Sequence, residues 1–340
     1  APSLPTNLPS SSIVQSFATF FADKITKLRG GITSCQSSPH LPAPPVTPPV
    51  FSIFRPTSVD EICHIISSLP DKQCDLDPLP TSLLKKCLPV LAPVITNIVN
   101  ISLSTGCFPP NFKRSVVTPL VKKPSLDKDI LSNYRPISNL SFLSKLTERI
   151  VKDRLIQHLS KNSLFNHFQS AYTRLHSTET ALLVVDDSII RSMTKQQVTC
   201  LCLLDLSAAF DTIDHSILLH RLTSWFGVSH TAHSWFKSYL LSRSFVVSSS
   251  GCKSRPPTQM SCGVPQGSVL GPLLFILYTT PLSTLLSGTS VSHHLYADDT
   301  QLFISFSPEQ YPTGIGHLQS VINQVSIWMS SNLLSLNPSK

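Results

Sequence analysis

The 340-residue sequence is poor in charge, with Asp, Glu, Lys and Arg making up 14% against 41% hydrophobic residues. Wholesale disorder is excluded by that balance, because a chain with so much apolar surface can bury a core. Unbroken apolar runs of eighteen residues are also missing, since Pro, Gly or polar groups interrupt each candidate, and the N-terminus lacks the charged-then-apolar layout of a signal peptide. A soluble, intracellular chain without a membrane partner is the expectation. None of the nine cysteines forms a Cys-x-x-Cys pair, and the twelve histidines show no His-Glu-x-x-His spacing. Neither a disulfide scaffold nor a zinc site is expected, and the cysteines read as reduced thiols, several of them buried. The chain starts with Ala and stops in Asn-Pro-Ser-Lys, as a fragment of something longer would.

Acidic residues are scarcer still, leaving a net charge of +8 that is unevenly placed. Residues 1–199 carry 21 Lys and Arg against 13 Asp and Glu, whereas residues 200–340 carry six of each. Between Lys113 and Lys161 there are eleven basic residues and four acidic ones, a density suited to a polyanion such as a nucleic-acid backbone or a triphosphate. The acids of the second part are clustered: Asp205, Asp211 and Asp214, then Asp298 and Asp299. Carboxylates concentrated in apolar sequence need an electrostatic partner, and a divalent cation is the usual one.

Along the chain, Phe17, Phe20, Phe21, Ile25 and Leu28 recur at helical spacing, followed at 39–50 by six prolines that read as an extended linker. Ser58-Val-Asp-Glu has the form of a capping box, and a helical stripe from Leu83 to Leu91 is expected to break and restart at Pro93. Phe142 to Leu159 keeps a 3.6-residue period. Val198 to Leu204 reads as a buried strand ending at Asp205, Asp214 as the N-cap of a helix, Ser244 to Ser250 as a strand, and the segment from Ser268 to Leu286 as containing a helix. From His294 to Ile304 two apolar arms flank Asp298-Asp299, the pattern of a hairpin with an acidic tip. If its strands neighbour the one ending at Asp205, three carboxylates converge on a site that is stable only with cations, and two Mg²⁺ ions are what in-line displacement at phosphate requires. Asp211 is taken as a turn residue, and Trp225, Trp235 and Trp328 as core.

Five segments then carry a resemblance. They are Asn133-Tyr-Arg-Pro-Ile-Ser-Asn-Leu-Ser-Phe-Leu-Ser-Lys, Gln169-Ser-Ala-Tyr-Thr-Arg-Leu-His-Ser-Thr-Glu-Thr-Ala, Leu204-Asp-Leu-Ser-Ala-Ala-Phe-Asp-Thr-Ile-Asp-His, Gly263-Val-Pro-Gln-Gly-Ser-Val-Leu-Gly-Pro-Leu-Leu-Phe and Tyr296-Ala-Asp-Asp. In this order they resemble the reverse transcriptase of non-LTR (LINE-type) retrotransposons, over about residues 111–340.

The resemblance implies an α+β right-hand polymerase with fingers and an antiparallel palm sheet at 111–340, cut before its thumb. Ahead of it would lie a helix with the proline-rich linker (1–50) and a helical extension (51–110). It implies RNA-directed DNA polymerisation with dNTPs, an RNA template and a DNA primer, in nucleus and cytoplasm, with an endonuclease domain upstream in the same polyprotein. Asp205, Asp298 and Asp299 would bind two Mg²⁺ ions, with Mn²⁺ as an alternative. Phe210 would lie under the sugar and exclude a 2′-hydroxyl, Gln266 and Gly267 would face the nucleotide, and Arg135 would grip the triphosphate. A nearby lysine would assist, Lys128 before Lys122 or Lys123. Lys113, Arg114, Lys122 and Lys123 would contact nucleic acid. Where relatives commonly read Gly-Phe-Arg, this chain has Ala171-Tyr172-Thr173. That departure supports a second reading, an inactive, truncated remnant that binds nucleic acid without polymerising.

Overall fold

The computed structural model describes residues 10–32, 42–44, 47–71 and 74–338. Cys35, parts of the proline-rich stretch (39–41 and 45–46) and the closing Lys340 lie outside the described residues.

Helix α1 (Ser10–Ile32) follows the predicted spacing, and Ile13, Val14, Phe17, Ala18 and Phe21 on one face are buried. Helix α2 (Val59–Ser68) starts at Ser58, whose Oγ accepts from Glu61 N at 3.1 Å. The Glu61 carboxylate pairs with Arg154 at 2.6 Å. The predicted break at Pro93 does not occur: Cys87 divides α3 (Thr81–Lys86) from α4 (Leu88–Thr105), and Pro93 sits inside α4. One missing N–H near the helix start is outweighed by the burial of Leu88, Ala92, Ile95, Val99 and Leu103. By length and composition helix α4 could cross a membrane, although Pro89, Pro93 and polar residues interrupt its apolar run as expected. Its buried face packs on α2 and on α9 (His230–Leu240), as a core helix does.

The remaining elements alternate. Strands β1 (Arg114–Val121) and β2 (Tyr134–Asn139) precede helices α5 (Phe142–Lys161) and α6 (Thr178–Thr194). Then come β3 (Val198–Leu204), β4 (Leu206–Ser207), α7 (Ala209–Thr212) and α8 (His215–Ser224). After α9 follow β5 (Arg243–Ser249), β6 (Cys252–Lys253), β7 (Thr258–Met260) and α10 (Gly271–Ser287). The last elements are β8 (Ser292–Tyr296), β9 (Asp299–Phe306), α11 (Tyr311–Ser331) and β10 (Ser335–Leu336).

Two larger sheets result. The first runs β2-β1-β5-β6, with β7 also on β5, and is mixed because β1 and β5 are parallel. The second, β3-β9-β8, is antiparallel, and β4 and β10 form a small ribbon beside it. This is a mixed α/β architecture. Its main core joins α2, α4, α5 and α8 to α11 with the antiparallel sheet, while α1 covers Val117, Tyr134, Phe245 and Val247 of the mixed sheet in a second cluster. Trp225, Trp235 and Trp328 are buried in the main core, as expected.

Three expectations need correction. Strand β3 is an edge strand covered on one face: Cys200, Cys202 and Leu204 pack on the core while Leu201 and Leu203 are 42% and 63% exposed. Among the described cysteines, all free, only Cys262 is buried. Arg154, counted within the basic segment, is withdrawn from the surface into its bidentate pair with Glu61.

Candidate active site

Strand β3 pairs antiparallel with β9, and the last partners are Leu204 and Thr300. Continuing that register sets Asp205 beside Asp299. The β8–β9 hairpin pairs Tyr296 with Asp299, which leaves Asp298 at its tip. Segments 93 residues apart thus deliver three acids to one end of a sheet, where directly opposed Cβ atoms lie roughly 4.5–5.5 Å apart. Among the described residues no three His, Cys, Asp or Glu side chains are drawn into a finished ion cage. Asp205 is held instead by Asn337, whose Nδ2 donates to its Oδ2 and whose N–H donates to its carbonyl, both at 2.8 Å. An all-oxygen set of two or three carboxylates on adjacent backbone fits a hard divalent cation, and the register puts it within reach of one.

The hairpin tip is locked by Gln169, which is 4% exposed. Its Oε1 accepts from Ala297 N at 3.1 Å and from Ala171 N at 2.9 Å, while its Nε2 donates to Ala297 O at 3.4 Å. Ala297 has φ +55°, a strained conformation for a residue with a Cβ, so the turn carrying Asp298 depends on this clamp. Tyr172 stands alongside with φ +59°, and burial, reinforced by Asp298 and Tyr296, pushes its hydroxyl pKa up. Thr173, in place of the usual arginine, donates its hydroxyl to the Gln169 and Ala171 carbonyls, each at 3.3 Å.

Phe210 stacks on Phe275 with centroids 4.9 Å apart and is only partly buried. Its carbonyl accepts from Val264 N, and that of Ile213 from Gly263 N, which ties α7 to the loop preceding α10. Gly263 and Gly267 have φ +80° and +120°, and a Cβ at either would lie 2.6 Å from Asp211 O or 2.5 Å from Ser138 O. Only glycine fits there. Between them, Gln266 accepts from Ser138 N of β2 through its carbonyl at 2.7 Å and donates Nε2 to Asp211 Oδ2 at 2.9 Å. Further on, buried Glu148 of α5 accepts from Val269 N and Leu270 N, at 2.8 and 3.1 Å, and fixes the entry to α10.

Asp211 is more than a turn residue. Burial pushes its pKa up to about 6 from 3.8, against the pull of Lys24 and the Gln266 hydrogen bond. A carboxyl whose folded pKa is raised stabilises the fold below its unfolded pKa and loses that contribution as pH rises through the folded one. Between pH 4 and 6 the protein therefore pays for ionising Asp211, and at pH 7.5 Asp211→Asn should be more stable by up to roughly 3 kcal/mol, the gap closing below pH 4. Thermal unfolding across pH reads this directly. Asp214, by contrast, caps α8 as expected: burial opposes its charge, but bonds from Ile217 N, Arg29 and Ser216 N hold its pKa below the ordinary value.

The basic candidates divide. Arg135 is exposed on β2, three residues before Ser138, and Lys122, Lys123 and Lys128 are exposed in the β1–β2 connection. Lys113 and Arg114 lie at the opposite end of β1, roughly 25 Å away along an eight-residue strand. Burial and the nearby Arg243 lower the Lys113 pKa. Sequence reasoning passed over Gln169, Asn337, Glu148 and the role of Asp211. Gln169 opens one of the quoted segments, whereas Asn337 lies 38 residues past the last of them and nothing in the spacing marks Glu148.

The family described as "Reverse transcriptase (RNA-dependent DNA polymerase)" matches residues 121–340. The chain is 30% identical over 294 residues to "Probable RNA-directed DNA polymerase from transposon BS" of Drosophila melanogaster, covering 84% of this chain and 32% of that protein. It is 30% identical over 252 residues to "RNA-directed DNA polymerase from mobile element jockey" of Drosophila funebris, covering 72% of this chain and 27% of that one. A "Retrovirus-related Pol polyprotein from type-1 retrotransposable element R2" of Popillia japonica is 26% identical over 53% of the chain. The chain thus spans 32%, 27% and 24% of the length of these three relatives. With the matched segment holding the acidic sheet end, the Gln169 clamp and the Gly263–Gly267 loop alike, the chain belongs to the reverse transcriptase family.

Proposed function

We propose that this chain is the polymerising part of a non-LTR retrotransposon protein, extending a DNA 3′ end on an RNA template with dNTPs. One observation carries the reading: Asp205 and Asp298-Asp299, far apart in sequence, meet at one end of the β3-β9-β8 sheet. In this reading that sheet is the palm, and the mixed sheet with β1 and β2 is the fingers. Asp205, Asp298 and Asp299 would hold two Mg²⁺ ions, which when bound lower the pKa of the attacking hydroxyl and neutralise charge on the departing pyrophosphate. Asn337 orients the Asp205 carboxylate, Gln169 fixes the turn under Asp298, and Arg135 with Lys128 receives the triphosphate. An endonuclease elsewhere in the polyprotein and a location in nucleus and cytoplasm belong to the same reading. The test is dNTP incorporation on a primed RNA template by the full-length protein carrying this chain. Failure to extend with either Mg²⁺ or Mn²⁺ would refute it.

Phe210 supplies sugar selection. Its ring is wedged against Phe275 and cannot yield to an extra oxygen. Phe210→Ala should admit rNTPs while dNTP incorporation stays measurable, and because the ring is only partly buried the stability cost should be roughly 2–3 kcal/mol. Equal loss of rNTP and dNTP incorporation would make it a core residue only.

Nucleic-acid affinity should come mainly from the 113–161 segment, less the buried Arg154. Phosphate contacts release counterions, so six such contacts would cost about a thousandfold or more in affinity between 50 and 200 mM salt. A binding constant that ignores salt would contradict this.

A further inference from the structure

The Gln266 carboxamide has a donating end and an accepting end of nearly identical shape, and nothing in its own covalent structure decides which end faces a ligand. The neighbouring acid decides it. An ionised carboxylate only accepts, and Asp211 Oδ2 lies 2.9 Å from Gln266 Nε2. We propose that Asp211 is a positioning residue for nucleotide selection, pinning the Gln266 carboxamide so that its Oε1 meets a hydrogen-bond donor on the incoming nucleotide. The inference rests on reading Gln266 as part of the nucleotide site.

The surroundings favour a working role over a packing one. Asp211 and Gln266 themselves line a pocket of about 140 Å³, together with Phe21, Lys24 and Ile25 of α1 and Cys262. A purely structural residue there would be apolar and would fill the space; a carboxyl leaves it open and costs stability when ionised. The chain meets that cost with Lys24, whose charge favours the ionised form of Asp211. Helix α1 lies outside the family-matched segment, yet it is seated on the mixed sheet by Phe17 and Phe21 and tied to α8 by the Arg29–Asp214 ion pair. It therefore shares the lining of the pocket at Asp211 and Gln266. The charged and titratable groups facing Asp211 are Lys24 of α1, which lines the same pocket and acts on its charge, and Cys262 of the loop, whose Sγ donates to the Asp211 carbonyl at 3.4 Å.

The full-length protein carrying this chain is assayed on a primed RNA template for dNTP KM and kcat, as wild type, Asp211→Asn, Gln266→Met and the double variant. Asn at 211 can donate or accept, so it no longer selects one amide orientation. KM should rise roughly fivefold to tenfold with kcat within about twofold, and in the Gln266→Met background the same substitution should change KM by less than about twofold. Independent, multiplying effects would overturn the proposal. In wild type, KM should climb as pH falls below about 6; the Asn variant should lack this inflection, and Lys24→Met should move it to higher pH. Were Asp211→Asn to unfold, the Lys24→Met profile alone decides, an unmoved inflection counting against the proposal. A wild-type protein that never extends a primer removes the nucleotide-site reading itself, whereas an active one with additive variants removes only Asp211's role.

Discussion

Asp205→Asn should abolish primer extension, by a factor on the order of 10³ or more, while leaving the protein folded. In the proposed role the substitution removes one anionic ligand for the divalent ions, which costs several kcal/mol of transition-state stabilisation, and each 1.4 kcal/mol is tenfold in rate. The fold survives because the contact from Asn337 Nδ2 needs only an acceptor, which the Asn amide oxygen supplies, and because the Asn337 N–H bond runs to the main-chain carbonyl. The measurement is a pair: single-turnover extension and a thermal melt. Loss of extension together with a melt lowered by many degrees would make Asp205 a structural residue; retained extension would displace it from the site.

Gln169→Glu should be nearly as damaging, although the two side chains have the same shape. Both ends of the Gln169 carboxamide are in use, and the glutamate would set an oxygen against the Ala297 carbonyl where an N–H now donates. It would also place a buried negative charge beneath an acidic turn. One lost bond and one uncompensated acceptor cost roughly 2–4 kcal/mol. Because Ala297 holds a left-handed conformation only while clamped, the tip carrying Asp298 should relax and extension should fall about a hundredfold. Extension at the wild-type rate would show that the turn holds its own shape.

Asp205 and the Asp298-Asp299 tip were legible because short apolar runs ending in acids stand out in the sequence, and the hairpin and the strand at 198–204 stand where those runs put them. What could not be read was coverage. Val198 to Leu204 is apolar at every position but Thr199, and a run of that kind looks the same whether one face or both are covered; only the β3-β9-β8 order shows that it is an edge. Pro93 misled for a related reason: a local breaking tendency of one residue was weighed without the tertiary burial of five others on α4. Polar partnerships were the least legible of all. Gln169 to Ala297, Asp211 to Gln266 and Glu148 to Leu270 span 55 to 128 residues, and no local pattern announces which carboxylate will meet which amide.

The Asn337 contact spans 132 residues and so has a meaning in time as well as in space. During synthesis at roughly 5–20 residues per second, Asp205 leaves the ribosome about 7 to 26 s before the segment that will hold it. Strand β4 has no partner for that interval, since β10 is made about 130 residues later. Cys200, Cys202 and Leu204, which face the core in the finished fold, are presented meanwhile to whatever surrounds the nascent chain. Chaperone occupancy on the growing polypeptide should therefore be highest after residue 204 has emerged and fall only once residue 337 is out.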